Sequence, residues 1–99
     1  MQTFYEIGLS NPVTRALANM GFEVTTPIQE QTIAPAMAGR DIIGQAQTGT
    51  GKTAAFGIPL VEKCEPQQEN VIGLVVTPTR ELAIQVAEEI NRIGQFKGI

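Results

Sequence analysis

The 99-residue sequence contains no histidine and no tryptophan, and it has a single cysteine, Cys64. Without histidine, the chain can form neither a Ser-His-Asp triad nor a metal site with imidazole ligands. A single cysteine excludes an internal disulfide and a zinc site built from several cysteines within these residues. These absences remove the commonest hydrolase and zinc-module chemistries from consideration for this chain alone.

Long apolar runs and an excess of positive charge are also missing. The longest strongly apolar stretch, residues 71–76, is interrupted by Gly73, whereas a membrane helix needs about 20 apolar residues. The amino terminus lacks the basic start and apolar centre of a signal peptide. The net charge of −3 argues against binding nucleic acid through bulk positive charge. We therefore expect a cytoplasmic protein with no membrane partner.

Hydrophobic periodicity and capping residues predict four helices, at residues 12–20, 26–37, 52–63 and 79–93. Asn11 is expected to cap the first helix and Gly21 to end it. Pro35 is expected to kink or split the second helix, and Thr79 to cap the last one. One apolar stripe of the last helix is expected to lie in the core: Leu82, Ala83, Val86, Ala87, Ile90 and Ile93.

Two segments between the predicted helices, residues 41–45 and 71–77, have the short apolar character of buried strands. The alternation of strands and helices predicts an α/β fold with parallel strands and flanking helices. Two strands are too few for a parallel sheet covered on both faces. We therefore expect residues 1–99 to be one part of a larger domain.

Residues 46–53, between the first predicted strand and the third predicted helix, have the pattern of a phosphate-binding loop. Its glycines allow backbone N–H groups to approach a triphosphate closely. Lys52 can then reach the β- and γ-phosphates, and the Thr53 hydroxyl can bind Mg²⁺. The alternative is a surface turn rich in glycine and threonine. The predicted nucleotide-binding residues are Ala46, Gln47, Thr48, Gly49, Thr50, Gly51, Lys52 and Thr53.

The sequence from Thr26 to Gln29 has two interpretations. A glutamine amide can donate to and accept from the edge of an adenine at the same time. The same spacing is that of a capping box, in which the glutamine bonds back to the amide of the cap residue. The spacing alone favours the cap.

Three segments together resemble the motifs of DEAD-box RNA helicases. Residues 4–29, with Phe4, Gly21-Phe22 and Thr26 to Gln29, are similar to the Q motif of that family. Residues 46–53 are similar to motif I, including an alanine at its first position, and residues 78–83 to motif Ia. The resemblance implies a partial RecA-like P-loop domain that is truncated after the helix following motif Ia.

The resemblance also implies ATP and Mg²⁺ as cofactors, and catalytic roles for Lys52 and Thr53. Gln29 would read the adenine, and Phe4 would stack on the base; the alternative for Phe4 is a hydrophobic anchor for the amino-terminal arm. Arg80 would hold an RNA phosphate. The alternative for Arg80 is that it is an exposed residue paired with a nearby carboxylate. The residues implied to contact RNA are Pro78, Thr79 and Arg80.

Much of the machinery of that family does not occur in residues 1–99, including the Asp-Glu-Ala-Asp segment, the Ser-Ala-Thr motif and the second RecA-like domain. The resemblance thus implies a piece of an ATP-dependent RNA helicase that binds nucleotide and the RNA backbone but needs the rest of the helicase core for hydrolysis. One alternative is a self-associating folding or binding module. Another is a different P-loop ATPase or kinase, which would not account for residues 26–29 and 78–83.

Overall fold

The computed structural model describes residues 3–45, 51–66 and 70–99. In this part of the chain a short 3₁₀ helix, Phe4–Ile7, precedes four α-helices. These are α1 (Asn11–Asn19), α2 (Pro27–Met37), α3 (Lys52–Lys63) and α4 (Arg80–Ile93). All four lie close to the predicted ranges. Helix α3 packs against both α2 and α4, and α1 packs against α3 and α4.

Helix α1 begins differently from the prediction. Its cap residue is Ser10, and Asn11 is the first residue inside the helix. The Ser10 hydroxyl does not bond to its own helix but donates to the carboxylate of Glu62 on α3. The predicted end is confirmed, since Gly21 follows the helix with a φ of 81°, a left-handed conformation that glycine adopts readily.

Helix α2 runs without a break through Pro35, so the expectation that proline splits it is wrong. Pro35 lies in the last turn, where its missing N–H removes one bond of the helix ladder. The following amides still find partners, because Ala38 N–H donates to the Ala34 carbonyl at 3.0 Å and Gly39 N–H to the Ala36 carbonyl at 3.0 Å. The loss of one bond near a helix end is therefore tolerated here.

The core lies where α3 meets the other helices. Gly57 of α3 is buried, and a Cβ at this position would lie 3.3 Å from the Ile93 side chain and 3.4 Å from that of Ile90. The absence of a side chain at Gly57 thus lets α4 approach α3 closely. The buried residues of the core are Phe4, Val13, Leu17, Ile33, Ala54, Ile58, Val61 and Ile93.

The two segments predicted as strands form no sheet among the described residues. Residues 41–45 and 71–77 have no regular secondary structure, and the parallel arrangement is not confirmed. One isolated antiparallel bridge pairs Thr3 with Val24. Residues 71–77 have no described strand alongside them, and their apolar side chains Val71, Leu74 and Val76 are more than 80% exposed.

The apolar stripe of α4 is only partly in the core, which corrects the prediction that all of it is buried. Val86 and Ile93 are buried and Ile90 is partly buried, whereas Leu82, Ala83 and Ala87 are exposed. The carboxyl-terminal half of the stripe is covered by α1 and α3, and no described residue covers the other half. None of the helices in the described ranges combines the length and apolar character needed to cross a membrane.

Candidate functional site

The side chain of Gln29 forms the predicted cap at the start of α2. Thr26 N–H donates to Gln29 Oε1 at 3.0 Å, and Gln29 N–H donates to Thr26 Oγ1 at 3.5 Å. Pro27 occupies the first helical turn, where its missing N–H costs no helix bond. The capping box predicted from the spacing is confirmed.

The same glutamine also contacts the start of α3. Gln29 Nε2 donates to the Gly51 carbonyl at 3.1 Å, and only 3% of the residue is exposed. The Gly51 carbonyl also accepts from Ala55 N–H at 3.1 Å, the first bond of the α3 ladder. One buried side chain therefore fixes the position of α3 relative to α2.

Gly51 occupies a position that requires glycine for two reasons. Its φ is 83°, in the left-handed region that residues with a side chain rarely adopt. A Cβ at this position would also collide with the side-chain nitrogen of Gln29 and lie 3.4 Å from Thr26 Oγ1. The contact between Gln29 and Gly51 thus depends on the absence of a side chain.

The start of α3 has the features of an anion site. Lys52 is exposed at its first position and Thr53 is partly buried at its second. The first N–H groups of a helix have no partner within it, and the helix dipole is positive at that end, so both favour a bound phosphate. The predicted loop residues Ala46, Gln47, Thr48, Gly49 and Thr50 lie outside the described residues.

Phe4 is a core residue in this structure. It is 3% exposed and packs against Phe22, with ring centroids 6.0 Å apart and an interplanar angle of 22°. Its backbone N–H donates to the Glu23 carbonyl at 3.3 Å. These contacts support the anchor role for the amino-terminal arm, and stacking on a base stays a prediction.

The start of α4 is capped by Thr79, as predicted. Thr79 Oγ1 accepts from Leu82 N–H at 3.1 Å, and the Thr77 hydroxyl donates to the Thr79 carbonyl at 2.8 Å. Pro78, Thr79 and Arg80 are all exposed. Arg80 makes no ion pair with any residue in the described ranges, so the carboxylate partner of the alternative interpretation is not seen there.

An open cleft with a volume of about 890 Å³ joins the starts of α3 and α4. Lys52 and Thr53 of α3 line the cleft, together with Pro78 and with Gln85 and Glu89 of α4. Residues predicted to bind nucleotide and a residue predicted to contact RNA therefore line one cavity. Within the described ranges, no group of histidine, cysteine or acidic residues could hold a metal ion by itself.

Two contacts at the opposite end of α3 were not predicted. Lys97 Nζ donates to the carbonyls of Val61 and Glu62, each at 2.8 Å. Ser10 N–H and Oγ donate to the two Glu62 carboxylate oxygens at 3.2 Å and 2.5 Å. These bonds join residues that are far apart in the sequence, so neither helical periodicity nor a capping pattern marks them.

The family model of DEAD/DEAH box helicases matches residues 26–99, which is most of the chain. The chain belongs to this family. The contact between Gln29 and Gly51 joins two of the segments that resemble motifs of DEAD-box RNA helicases.

Curated DEAD/DEAH box helicases are similar to the whole chain. The DEAD-box ATP-dependent RNA helicase CshA of Bacillus cereus is 58% identical over 99 residues, which are 100% of this chain and 19% of the relative. CshA of Geobacillus kaustophilus is 60% identical over 99 residues, 100% of this chain and 21% of the relative. The chain thus spans about a fifth of the length of the curated relatives it matches.

Solved structures of DEAD-box proteins have the same fold over this region. A DEAD box protein from Methanococcus jannaschii is 42% identical with a TM-score of 0.88, over 94% of this chain and 26% of that one. Saccharomyces cerevisiae Dbp5, bound to RNA and ADP BeF3, is 32% identical with a TM-score of 0.94, over 100% of this chain and 26% of that one. The chain therefore shares the fold of the RecA-like domains of these helicases.

Proposed function

We propose that this chain is the ATP-binding amino-terminal part of an ATP-dependent RNA helicase that unwinds short RNA duplexes or remodels RNA. The observation that carries the proposal is the buried hydrogen bond from Gln29 to Gly51, because it joins the proposed adenine-reading residue to the proposed phosphate loop. The relatives named above are ATP-dependent RNA helicases, and this supports the same activity for the full-length protein.

The phosphate chain of ATP would bind at residues 46–53, at the amino-terminal end of α3. The helix dipole and the first-turn N–H groups favour an anion there, and the exposed Lys52 would neutralise the β- and γ-phosphates. The Thr53 hydroxyl would hold Mg²⁺ together with phosphate oxygens. The Asp-Glu-Ala-Asp segment of the family does not occur in residues 1–99, so we expect this part alone to bind nucleotide without efficient hydrolysis.

Adenine recognition would use the hydrogen-bonding capacity that the Gln29 amide still has. Each amide carries two donor hydrogens and two acceptor lone pairs, and one of each is engaged, by Gly51 and by Thr26. The remaining hydrogen and lone pair match N7 and the N6 amino group of adenine. The capping role and the adenine-reading role are therefore compatible. Phe4 would contribute base stacking only if its ring became exposed.

RNA would bind through its sugar-phosphate backbone at the start of α4. Pro78, Thr79 and Arg80 are exposed there, and Arg80 has no described partner to displace. A cationic side chain beside free helix amides can hold a phosphate without reading sequence. The likeness to Dbp5, whose structure contains RNA, supports this assignment. Hydrolysis and duplex opening would need the rest of the helicase core, in the cytoplasm.

A second candidate function, self-association of the 99-residue chain, is favoured by the exposed apolar side chains of residues 71–77. Light scattering of this chain with and without Mg-ATP separates the two functions. A stable dimer that does not change with nucleotide supports the binding module, whereas an oligomeric state that changes on adding Mg-ATP supports the helicase part.

The proposed function is tested by calorimetric titration of the full-length protein with Mg-ATP. We expect binding by the wild type and a loss of at least about tenfold in affinity for Lys52→Ala, because that substitution removes the phosphate-facing charge. Lys63→Ala, at the exposed end of the same helix, is the matched control and should bind normally. Equal affinity of Lys52→Ala and wild type would refute the assignment.

A further inference from the structure

Both ends of α3 are held by polar side chains from other elements. At its start, Gln29 donates to the Gly51 carbonyl. At its end, Lys97 donates to two carbonyls, and Ser10 donates twice to the Glu62 carboxylate. The helix has 12 residues, so its ends lie about 18 Å apart.

The contacts at the end of α3 complement two helix dipoles. The last carbonyls of a helix lack partners within it and carry partial negative charge, and the Lys97 ammonium group supplies both donors and a positive charge. The Glu62 carboxylate lies beside Ser10, the cap residue of α1, where a negative charge is favoured. Ser10, Glu62 and Lys97 form what we call the α3 junction.

The turn that carries Lys97 is itself fixed in place. Residues 94–99 fold back on the end of α4, where Lys97 N–H donates to the Gly94 carbonyl at 3.0 Å and Ile99 N–H to the same carbonyl at 3.2 Å. The neighbouring Phe96 ring lies 4.0 Å from the guanidinium carbon of Arg15 on α1, a cation–π contact. The α3 junction therefore joins α1, α3 and the end of α4.

A displacement at the α3 junction would reach the start of α3. Ala54, Ile58 and Val61, from both halves of the helix, are fully buried in one core. Pro59 has no N–H, so α3 lacks one hydrogen bond of its ladder at this residue. The second half of α3 therefore depends more on contacts with other elements. Because these side chains pack into one core, we expect a shift of one half of the helix to be transmitted to the other.

We propose that the α3 junction sets the position of the phosphate-binding end of α3, and that Lys97 is a positioning residue for nucleotide binding. The expected change in ATP affinity rests on the proposed function. The expected change in hydrogen exchange rests only on the contacts of α3. Lys97 contacts no nucleotide in this scheme and acts through α3.

The experiment compares Lys97→Met and Lys97→Arg in the full-length protein, with Lys63→Met as the control. Lys63 is the last residue of α3, is exposed and has the same charge, but makes no side-chain hydrogen bond in the described ranges. Hydrogen exchange is measured on peptides covering residues 51–58, below the unfolding temperature. Affinity for Mg-ATP is measured by calorimetry.

Lys97→Met is expected to speed exchange at residues 51–58 and to weaken ATP affinity about three- to tenfold. Lys97→Arg should keep the exchange rate and the ATP affinity close to those of the wild type, because arginine also donates to carbonyls and stays charged. Lys63→Met should match the wild type in both measurements. Faster exchange confined to residues 61–64 and 94–99, with unchanged ATP affinity, would overturn the proposal. If the wild type fails to bind ATP, the proposed function fails, and the exchange at residues 51–58 still decides this inference.

Discussion

The starts of α3 and α4 both present features suited to phosphate groups, but they are held in different ways. The start of α3 is bonded to another helix through the buried Gln29. The start of α4 is held by its own cap, Thr79, and by Thr77 two residues earlier in the chain. The proposed nucleotide site is thus fixed by tertiary contacts, and the proposed RNA-contacting residues by local ones.

This difference bears on what each site can distinguish. A site that selects one base needs donors and acceptors held at defined positions, because discrimination depends on leaving wrong partners unsatisfied. A surface that holds a sugar-phosphate backbone needs charge and free amides, and it tolerates movement. The buried Gln29 and the exposed Arg80 match these two requirements.

The largest effect is expected from placing a side chain at Gly51, because this disrupts the tertiary contact that holds the start of α3. Gly51→Ala forces a left-handed alanine and drives its Cβ into Gln29, so we expect ATP affinity in the full-length protein to fall at least about tenfold. Gly39→Ala is the matched control, since Gly39 has a φ of 86° and no atom within 4 Å of a Cβ.

Gly39→Ala should lose about 1–2 kcal/mol of stability from backbone strain and keep its ATP affinity. Calorimetric titration and thermal unfolding of both variants give the two values. Equal ATP affinity of Gly51→Ala and Gly39→Ala would show that the contact with Gln29 is not needed at the site.

A smaller effect is expected on the RNA side. Arg80→Gln in the full-length protein should weaken binding of single-stranded RNA by a few-fold and lower the slope of log affinity against log salt by about 1. The weakening should be similar for different sequences, because a phosphate contact carries no base information.

Arg40→Gln removes another exposed arginine, outside both proposed sites, and serves as the control for net charge. Fluorescence anisotropy at several salt concentrations provides the measurement. An unchanged salt slope for Arg80→Gln would remove Arg80 from the proposed RNA surface.

Local signals in the sequence predicted the helices well. The cap at Thr79, the capping box of Thr26 and Gln29, and the stop at Gly21 are formed as expected. Each depends on residues a few positions apart, so the pattern and its partner lie in the same stretch of sequence. The cap residue of α1 is Ser10 rather than the predicted Asn11, and the Ser10 hydroxyl bonds to α3 rather than to its own helix.

The sequence patterns do not predict contacts between residues that are far apart in the chain. The bond from Gln29 to Gly51 spans 22 residues, and the bond from Ser10 to Glu62 spans 52. The whole apolar stripe of α4 is predicted to be buried, but only its carboxyl-terminal half is. Amphipathic periodicity shows which face of a helix is apolar and does not show what covers that face. Likewise, residues 41–45 and 71–77 can form a sheet only when other strands lie beside them, and the local sequence does not show which strands those are.

The central claim is that Gln29 both fixes the start of α3 and reads adenine, and Gln29→Glu tests it most directly. A glutamate can still accept from Thr26 N–H, but its carboxylate cannot donate to the Gly51 carbonyl or to adenine N7. Calorimetric titration of the full-length variant should show ATP affinity lowered at least about tenfold and the preference for ATP over GTP lost. Wild-type affinity and preference in Gln29→Glu would mean that Gln29 is only a helix cap.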